Sequence, residues 1–401
     1  MSKKWLLFLG VTFACYIIWV GYINKDKNPV VDTTPVQKNT NPYVQQWVDE
    51  SFAQIGKLLK NSKVPGTAVS IVYRDQVFIR TFGVRSVKTQ QPVDQHSVFR
   101  IASLSKSFAA ALTARLVREN KLRWKNHVTD YLPAFQLADS EQTDRIQLWH
   151  LLSHTTGLPY HTYTNLVEAG VSTSQIIKKL ETVDLVAPEG TVYSYQNAPF
   201  SIIGEVHKVA TGQTYEQLLE EKIFDPLGMM DASTNRAAIA GRTNTALPHK
   251  ATKSGWRQVK ISEKYYTAVP AGGVNASIND MSTYLRLLLG QFPEVLTNED
   301  LAPVFTPVIE TPIKRRYFGK WPQVRTASYG LGWRILDYGG SKVSYHSGFV
   351  NSYKGEMAVN HKEQIGFCLL TNGACSEAKL TVPIFLDTYG KYKTLINQWQ
   401  P

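Results

Sequence analysis

The chain opens on a contrast between apolar and polar blocks. Residues 5–23 form a run of nineteen residues without a charge, preceded by Lys3 and Lys4. A helix of that length spans about 28 Å at 1.5 Å per residue, close to the hydrocarbon thickness of a bilayer. Residues 25–42 are polar, carry three prolines and show no periodicity, as a flexible linker does. The pattern changes at Tyr43. Val44, Trp47, Val48, Phe52, Ile55, Leu58 and Leu59 recur at spacings of three and four, which predicts an amphipathic helix. Residues 66–73 and 77–82 are β-rich and flank Arg74, Asp75 and Gln76, which predicts a hairpin.

A helix follows over about 103–120, with Phe108, Leu112 and Leu116 on one stripe. The chain then reads as helices broken by loops to about residue 260, with clear helices at 201–219 and 279–290. Strands return at 329–336, 342–346, 355–360 and 365–371, and a helix over 376–398 closes the pattern. Strands at both ends and helices between them predict an α+β architecture. One sheet is built from both chain ends, the terminal helices cover it, and a mostly helical insertion occupies about 101–260. The organisation read from this is a membrane segment over 1–24, a linker over 25–42 and one domain over 43–398.

Composition narrows the class. Hydrophobic residues make up 43% and charged residues 19%, which is globular and excludes a disordered chain. Three cysteines in 401 residues exclude a disulfide framework. Lys and Arg number 44 against 32 Asp and Glu, a net charge of +12. The cations are not bunched into a nucleic-acid-binding motif; the densest group is Lys314, Arg315, Arg316, Lys320 and Arg325. No nucleic-acid partner is expected, and the balance points to anionic surfaces or substrates. The basic stretch 310–327 reads as an exposed loop, or else as a substrate or surface contact. Val20-Gly21-Tyr22 is a poor signal-peptidase site, and the apolar run continues for eight residues past Cys15, which disfavours a lipoprotein site. An uncleaved membrane anchor is the expectation. Lysines on both sides of the run leave its orientation unspecified.

Candidate chemistry begins with a search for metal ligands. His150 and His154 stand four apart but have no Glu between them, and Cys368 and Cys375 are not spaced for zinc. No metal or cofactor is expected. Ser103-Leu104-Ser105-Lys106 is the remaining pattern. A serine needs a base to attack a carbonyl at neutral pH, and a lysine three residues later shares its helix face. A helix N-terminus also favours developing negative charge. Alone the pattern is too common to carry a function.

Its context makes it specific. FRIASLSKSF is followed by LLSHTTGLP at 151–159, PEGTVYSYQNAPFSIIGEV at 188–206, PAGGVNAS at 270–277, YGLGW at 329–333 and YHSGF at 345–349. In order and spacing these resemble the serine β-lactamase and penicillin-binding-protein family, in its class C and D,D-peptidase or esterase branch, over roughly residues 50–375. The resemblance implies a β-lactamase-like fold with an antiparallel sheet. It implies that Ser103 is the acylated nucleophile and Lys106 its partner. Tyr195 matches the proton shuttle, and Asn197 the amide that orients lysine and substrate. His346, Ser347 and Gly348 match the third motif, and the backbone N–H groups of Ser103 and Phe349 match the oxyanion hole. By the same resemblance His154 belongs to a structural turn near the cleft, and Gly272 and Gly273 to a tight turn. Ser105 reads as a helix residue with a local hydrogen bond, and residues 329–333 as core strand.

One departure bears on substrate. His346 stands where the β-lactamase motif has lysine. A histidine of ordinary pKa is mostly neutral at pH 7 and gains charge below about pH 6. Binding of a β-lactam carboxylate should therefore be weaker than in a β-lactamase. Whether Tyr195 or Lys106 is the base stays open. The reading is a serine hydrolase working through an acyl-enzyme on an amide or ester, foremost a peptidoglycan-type peptide in the manner of a D,D-carboxypeptidase. The alternatives are an esterase or weak β-lactamase on the same fold, or a non-catalytic binding or scaffold protein that retains it. The expected partners are a small-molecule or peptide substrate, cell-wall derived, and the membrane. The expected location is a bacterial inner membrane with the catalytic domain on the periplasmic side.

Overall fold

The computed structural model describes residues 41–313 and 318–400. Asn41 caps the first described helix by accepting the Tyr43 N–H, and Pro42 sits in the first turn, where its missing N–H costs nothing. This helix, α1 (Pro42–Ser62), buries Val44, Trp47, Val48, Phe52, Ile55 and Leu59. Lys63 ends it in a left-handed conformation. Strands β1 (Gly66–Tyr73) and β2 (Gln76–Gly83) follow as a hairpin with Arg74 and Asp75 at the turn.

Six strands come from the other end of the chain. They are β3 (Ile309–Glu310), β4 (Val324–Tyr329), β5 (Arg334–Tyr338), β6 (Ser341–Val350), β7 (Tyr353–Asn360) and β8 (Ile365–Thr371). They join the first hairpin in one antiparallel sheet of order β2-β1-β8-β7-β6-β5-β4-β3. The chain ends meet where β1 pairs with β8, Thr67 opposite Thr371. Both strands are buried at every position, because the sheet is covered on both faces.

One face carries the helical region, including α2 (Ser105–Arg118), α3 (Ala198–Thr211) and α4 (Ile278–Leu288). Ala68 and Val72 of β1 pack into that core with Phe108, Leu112, Ile203 and Leu285. The other face carries α1 and α5 (Thr381–Gln398). Val69, Ile71 and Tyr73 pack there with Trp47, Phe385 and Tyr389. The sheet built from both ends and its cover of terminal helices match the expected architecture.

Several expected boundaries differ. The helix expected over 201–219 ends at Thr211, because Gly212 turns the backbone left-handed at φ +79°; Thr214 then caps a new helix, Tyr215–Leu219. Helical structure runs past residue 260 to α4, and a small hairpin, His249–Thr252 with Gly255–Gln258, interrupts it. Residues 329–336 are not one strand. The chain reverses between β4 and β5, with Gly332 at φ +74° and its N–H donated to Leu152 O. The basic stretch is only partly an exposed loop. Phe318 and Trp321 are buried against Tyr345, with Trp321 Nε1 donating to Lys379 O. No helix among the described residues is long and apolar enough to cross a membrane. The anchor expected over residues 5–23 and most of the linker lie outside the described residues.

Candidate active site

Pairing of Phe99–Arg100 with Asn275–Ala276 delivers the chain to Ile101. Ala102 then takes φ +53°, a left-handed backbone that costs a non-glycine residue on the order of 1–3 kcal/mol. A single 3-10 turn, Ala102–Leu104, carries Ser103 into the start of α2. The serine therefore stands on a strained turn ahead of the helix rather than within it. Ser105 holds that turn: its Oγ donates to Ala102 O at 2.7 Å and accepts the Val274 N–H at 3.1 Å. Lys106 lies in the first turn of α2, fully buried. Its Nζ donates to Asn197 Oδ1 and to Ala271 O, both at 2.8 Å. Burial pushes the Lys106 ammonium well below the ordinary lysine range.

The Tyr195 phenol donates to Ser103 Oγ at 3.0 Å, and its ring centroid lies 4.8 Å from Lys106 Nζ. Desolvation raises the phenol's pKa; the Ser103 hydrogen bond and the Arg334 charge oppose it. The segment 154–161 holds this tyrosine in place. His154 O accepts the Ser194 N–H at 2.9 Å, and His154 Nδ1 accepts the Gln196 N–H at 3.2 Å. The His154 ring also lies 4.4 Å from that of Tyr195. His161 N–H donates to Tyr195 O, while Gln196 bonds Thr156 Oγ1 and Leu158 O. Thus the HTTGLP stretch, read as a nearby structural turn, is the cradle of the Tyr195 loop. Asn197 follows at the N-terminus of α3, its Oδ1 on Lys106 and its Nδ2 donating to Tyr265 Oη at 3.2 Å. Gly272 lies in a short helix, Val269–Gly272, that presents the Ala271 carbonyl to Lys106.

The third motif lies on β6. Gly348 is pressed against the nucleophile turn: a Cβ there would lie 2.5 Å from Ile101 O and 3.1 Å from Ser103 N, so only glycine fits. Beyond Tyr345, β6 has no β5 partner. Phe349 is 62% exposed. Ser347 is half-buried, opposite Glu356 on β7.

His346 differs from the expectation of a group that charges below pH 6. Its Nδ1 faces Ser347 O at 2.9 Å, and its Nε2 faces Tyr329 Oη at 3.1 Å. A carbonyl only accepts, so Nδ1 carries the proton and Nε2 accepts from the tyrosine. Burial, with Lys106 and Arg334 nearby, pushes the imidazole's pKa well below 6.5. His346 is a neutral, fully engaged group 6.4 Å from Tyr195, ring to ring.

Sequence reasoning missed Arg334. It begins β5, and its guanidinium lies 5.8 Å from the Tyr193 ring and 5.9 Å from the Tyr329 ring. Its charge reaches Tyr195, His154 and His346. Its position directly after Y-G-L-G-W was the available signal. A buried guanidinium stays protonated where a histidine does not.

A serine on a strained turn, a buried lysine and a hydrogen-bonded tyrosine thus come together. The Beta-lactamase family model matches residues 48–382. The chain belongs to that family. Among relatives in it, the chain is 25% identical over 342 residues to Unguisins hydrolase ungD' of Aspergillus campestris, which covers 81% of this chain and 61% of that protein. The chain therefore spans about three-fifths of that relative's length. It is 25% identical over 340 residues to Penicillin-binding protein 4 of Amycolatopsis lactamdurans, covering 82% of this chain and 86% of that one. Its fold is similar to that of the octameric penicillin-binding protein homologue from Pyrococcus abyssi, with a TM-score of 0.73 at 24% identity over 87% of this chain and 77% of that chain. Within the Beta-lactamase family the chain thus has one relative named a hydrolase and another named a penicillin-binding protein.

Proposed function

We propose that the chain hydrolyses small peptide-type amides through an acyl-enzyme on Ser103, as a D,D-carboxypeptidase does on peptidoglycan-type peptides. The observation that carries the reading is the 3.0 Å contact of Tyr195 with Ser103 beside a desolvated Lys106. A neutral amine has two N–H bonds and one lone pair, and the two hydrogen bonds to Asn197 and Ala271 use both donors. The lone pair is the proton store. As Ser103 Oγ attacks the carbonyl, its proton passes to Tyr195 Oη while the phenolic proton passes to Lys106. The reverse transfer protonates the leaving nitrogen when the C–N bond breaks. Water then attacks the ester by the same relay, and Ser103 regains its proton. Gly348, by its close approach, lets the Ser103 and Phe349 N–H groups face one oxyanion.

Arg334 supports a substrate that carries a carboxylate, because it supplies a permanent cation that the neutral His346 does not. His346 itself favours a second reading, an esterase, since small esters have no carboxylate to lose by that neutrality. In this reading the domain works outside the cytoplasm, tethered by residues 5–23; carbonate extraction of membranes tests the tether. Intact-mass labelling with fluorophosphonate and penicillin, followed by turnover of acyl-D-Ala-D-Ala peptides and p-nitrophenyl esters, tests the chemistry. Absence of any adduct on Ser103 would return the chain to a binding role.

A further inference from the structure

A cavity of about 850 Å³ lies on the sheet face away from Ser103, between α1 and the edge strand β2. That is a size at which small-molecule sites occur, about 300–1,000 Å³. Its walls are apolar, from Phe52, Leu59, Val64, Phe82 and Trp256. Its described rim is cationic: Lys57, Lys60, Lys63 and Arg80 stand against one acid, Asp49. Thr67 also lines it. That side chain is 1% exposed, and its Oγ1 has no hydrogen-bond partner among the described residues. A hydroxyl with no protein partner keeps its donor for a water or a ligand group.

The register orders these groups. Thr67 pairs with Phe82 and Val69 with Arg80, and paired residues share a face. The chain leaves α1 at Lys63 and enters β1 at Gly66, so Thr67 lies at the lysine end of the groove. Opposite Thr67, Gly56 lets the helix close on Phe82; a Cβ there would lie 3.2 Å from the ring. The groove thus has a lysine end with one buried hydroxyl and an apolar trough leading towards Phe52, whose ring the Arg80 guanidinium covers at 5.3 Å while pairing with Asp49 at 3.9 Å.

We propose that this cavity binds a single-chain amphiphile with a carboxylate head, of the fatty-acid class. The carboxylate accepts from Thr67 Oγ1 and faces Lys60 and Lys63; the acyl chain lies along Phe82 and Phe52. One buried donor suits a two-oxygen head. A phosphate, with three terminal oxygens, calls for more. This site is separate from the hydrolytic reading and does not depend on it.

The test is fluorescence titration of the full-length protein with cis-parinarate, below its critical micelle concentration. The expected result is saturable one-to-one binding, displaced by laurate but not by dodecanol or dodecyltrimethylammonium. Lys60→Glu combined with Lys63→Glu should weaken binding at least tenfold. Thr67→Val should weaken it several-fold and Thr67→Ser should not. Ser103→Ala should bind as the wild type does, which separates this cavity from the catalytic cleft. Equal competition by dodecanol, better competition by a lysophosphatidate than by laurate, or indifference to the charge reversal would each overturn the proposal. So would a full-length chain that does not bind parinarate at all, whether the groove holds the chain's own first forty residues or nothing.

Discussion

Tyr195 donates to Ser103 Oγ across 3.0 Å, so at rest the serine receives a hydrogen bond from the residue that takes its proton in the proposed relay. Attack requires the phenol to turn its proton elsewhere, and Lys106, 4.8 Å from the ring centroid, is the desolvated amine at hand. Ser103→Ala should abolish turnover and covalent labelling with the circular dichroism spectrum unchanged. Tyr195→Phe and Lys106→Ala should each lower kcat/KM by about 10²–10⁴, the usual range for general acid–base groups. Because the three act as one relay, the double variant should be no worse than the worse single one. Steady-state kinetics on p-nitrophenyl butyrate measures this; losses that add in log units would refute the shared relay.

The pH profile follows from two depressed pKa values with different consequences. In the proposed relay the working form of Lys106 is the neutral amine, so activity should fall as pH drops through its pKa. Burial places that acid limb well below the pH of about 10 that an ordinary lysine would give. Burial, with Lys106 and Arg334 nearby, holds the His346 imidazole well below the ordinary histidine range. The ratio of penicillin acylation to ester acylation should therefore stay flat from pH 8 to 5.5, whereas a histidine of pKa 6.5 would make it climb on the acid side. His346→Lys should raise the ratio at every pH in that window. Stopped-flow acylation with both substrates reads the ratio directly.

The sheet was legible because its strands are buried runs bounded by turn residues: β1 and β8 are apolar on both faces and lie at opposite ends of the sequence. The Ser-x-x-Lys pattern was legible because further motifs follow it in order along the chain, although Ser103 stands on a 3-10 turn ahead of the helix that carries Lys106. What escaped is long-range. Nothing local says that the His154 imidazole receives the N–H of Gln196, forty-two positions away, or that Arg334 sends its charge to Tyr195. The reversal at residues 330–333 was hidden because Tyr329 and Trp333 read as strand, while the left-handed Gly332 that breaks the strand looks like any glycine. The depressed pKa of His346 comes from burial first and then from Lys106 and Arg334, residues distant in sequence or buried by the fold, which no spacing rule encodes.

His154 is a positioning residue for Tyr195. His154→Phe keeps a ring but removes the acceptor, leaving the Gln196 N–H buried and unpaired, at a cost of about 1–3 kcal/mol. It also forces a bulky residue to hold φ +61°. The expected result is a lower Tm and a fall in kcat of tenfold or more with KM little changed. Asn tolerates left-handed backbone and offers a carbonyl oxygen, so His154→Asn should recover part of kcat. A loss in Tm with no loss in kcat would show that His154 serves stability alone.

Arg334 should decide how the cleft treats a carboxylate. Two unit charges 6 Å apart are worth about 3 kcal/mol at an effective dielectric of 20, which is a ceiling for what a bound carboxylate gains. The guanidinium also lowers the Tyr195 pKa, so its removal slows every substrate by a common factor. The informative quantity is again a ratio. Arg334→Gln should reduce kcat/KM for an acyl-D-Ala-D-Ala peptide about ten- to a hundredfold more than for p-nitrophenyl butyrate, since each tenfold is about 1.4 kcal/mol. Masking the peptide carboxylate as its amide should erase that difference in the wild type. Arg334→Lys should fall between, because an ammonium keeps the charge but not the planar fork. If Arg334→Gln slows both substrates equally, Arg334 acts only through Tyr195, and the peptide reading yields to the esterase.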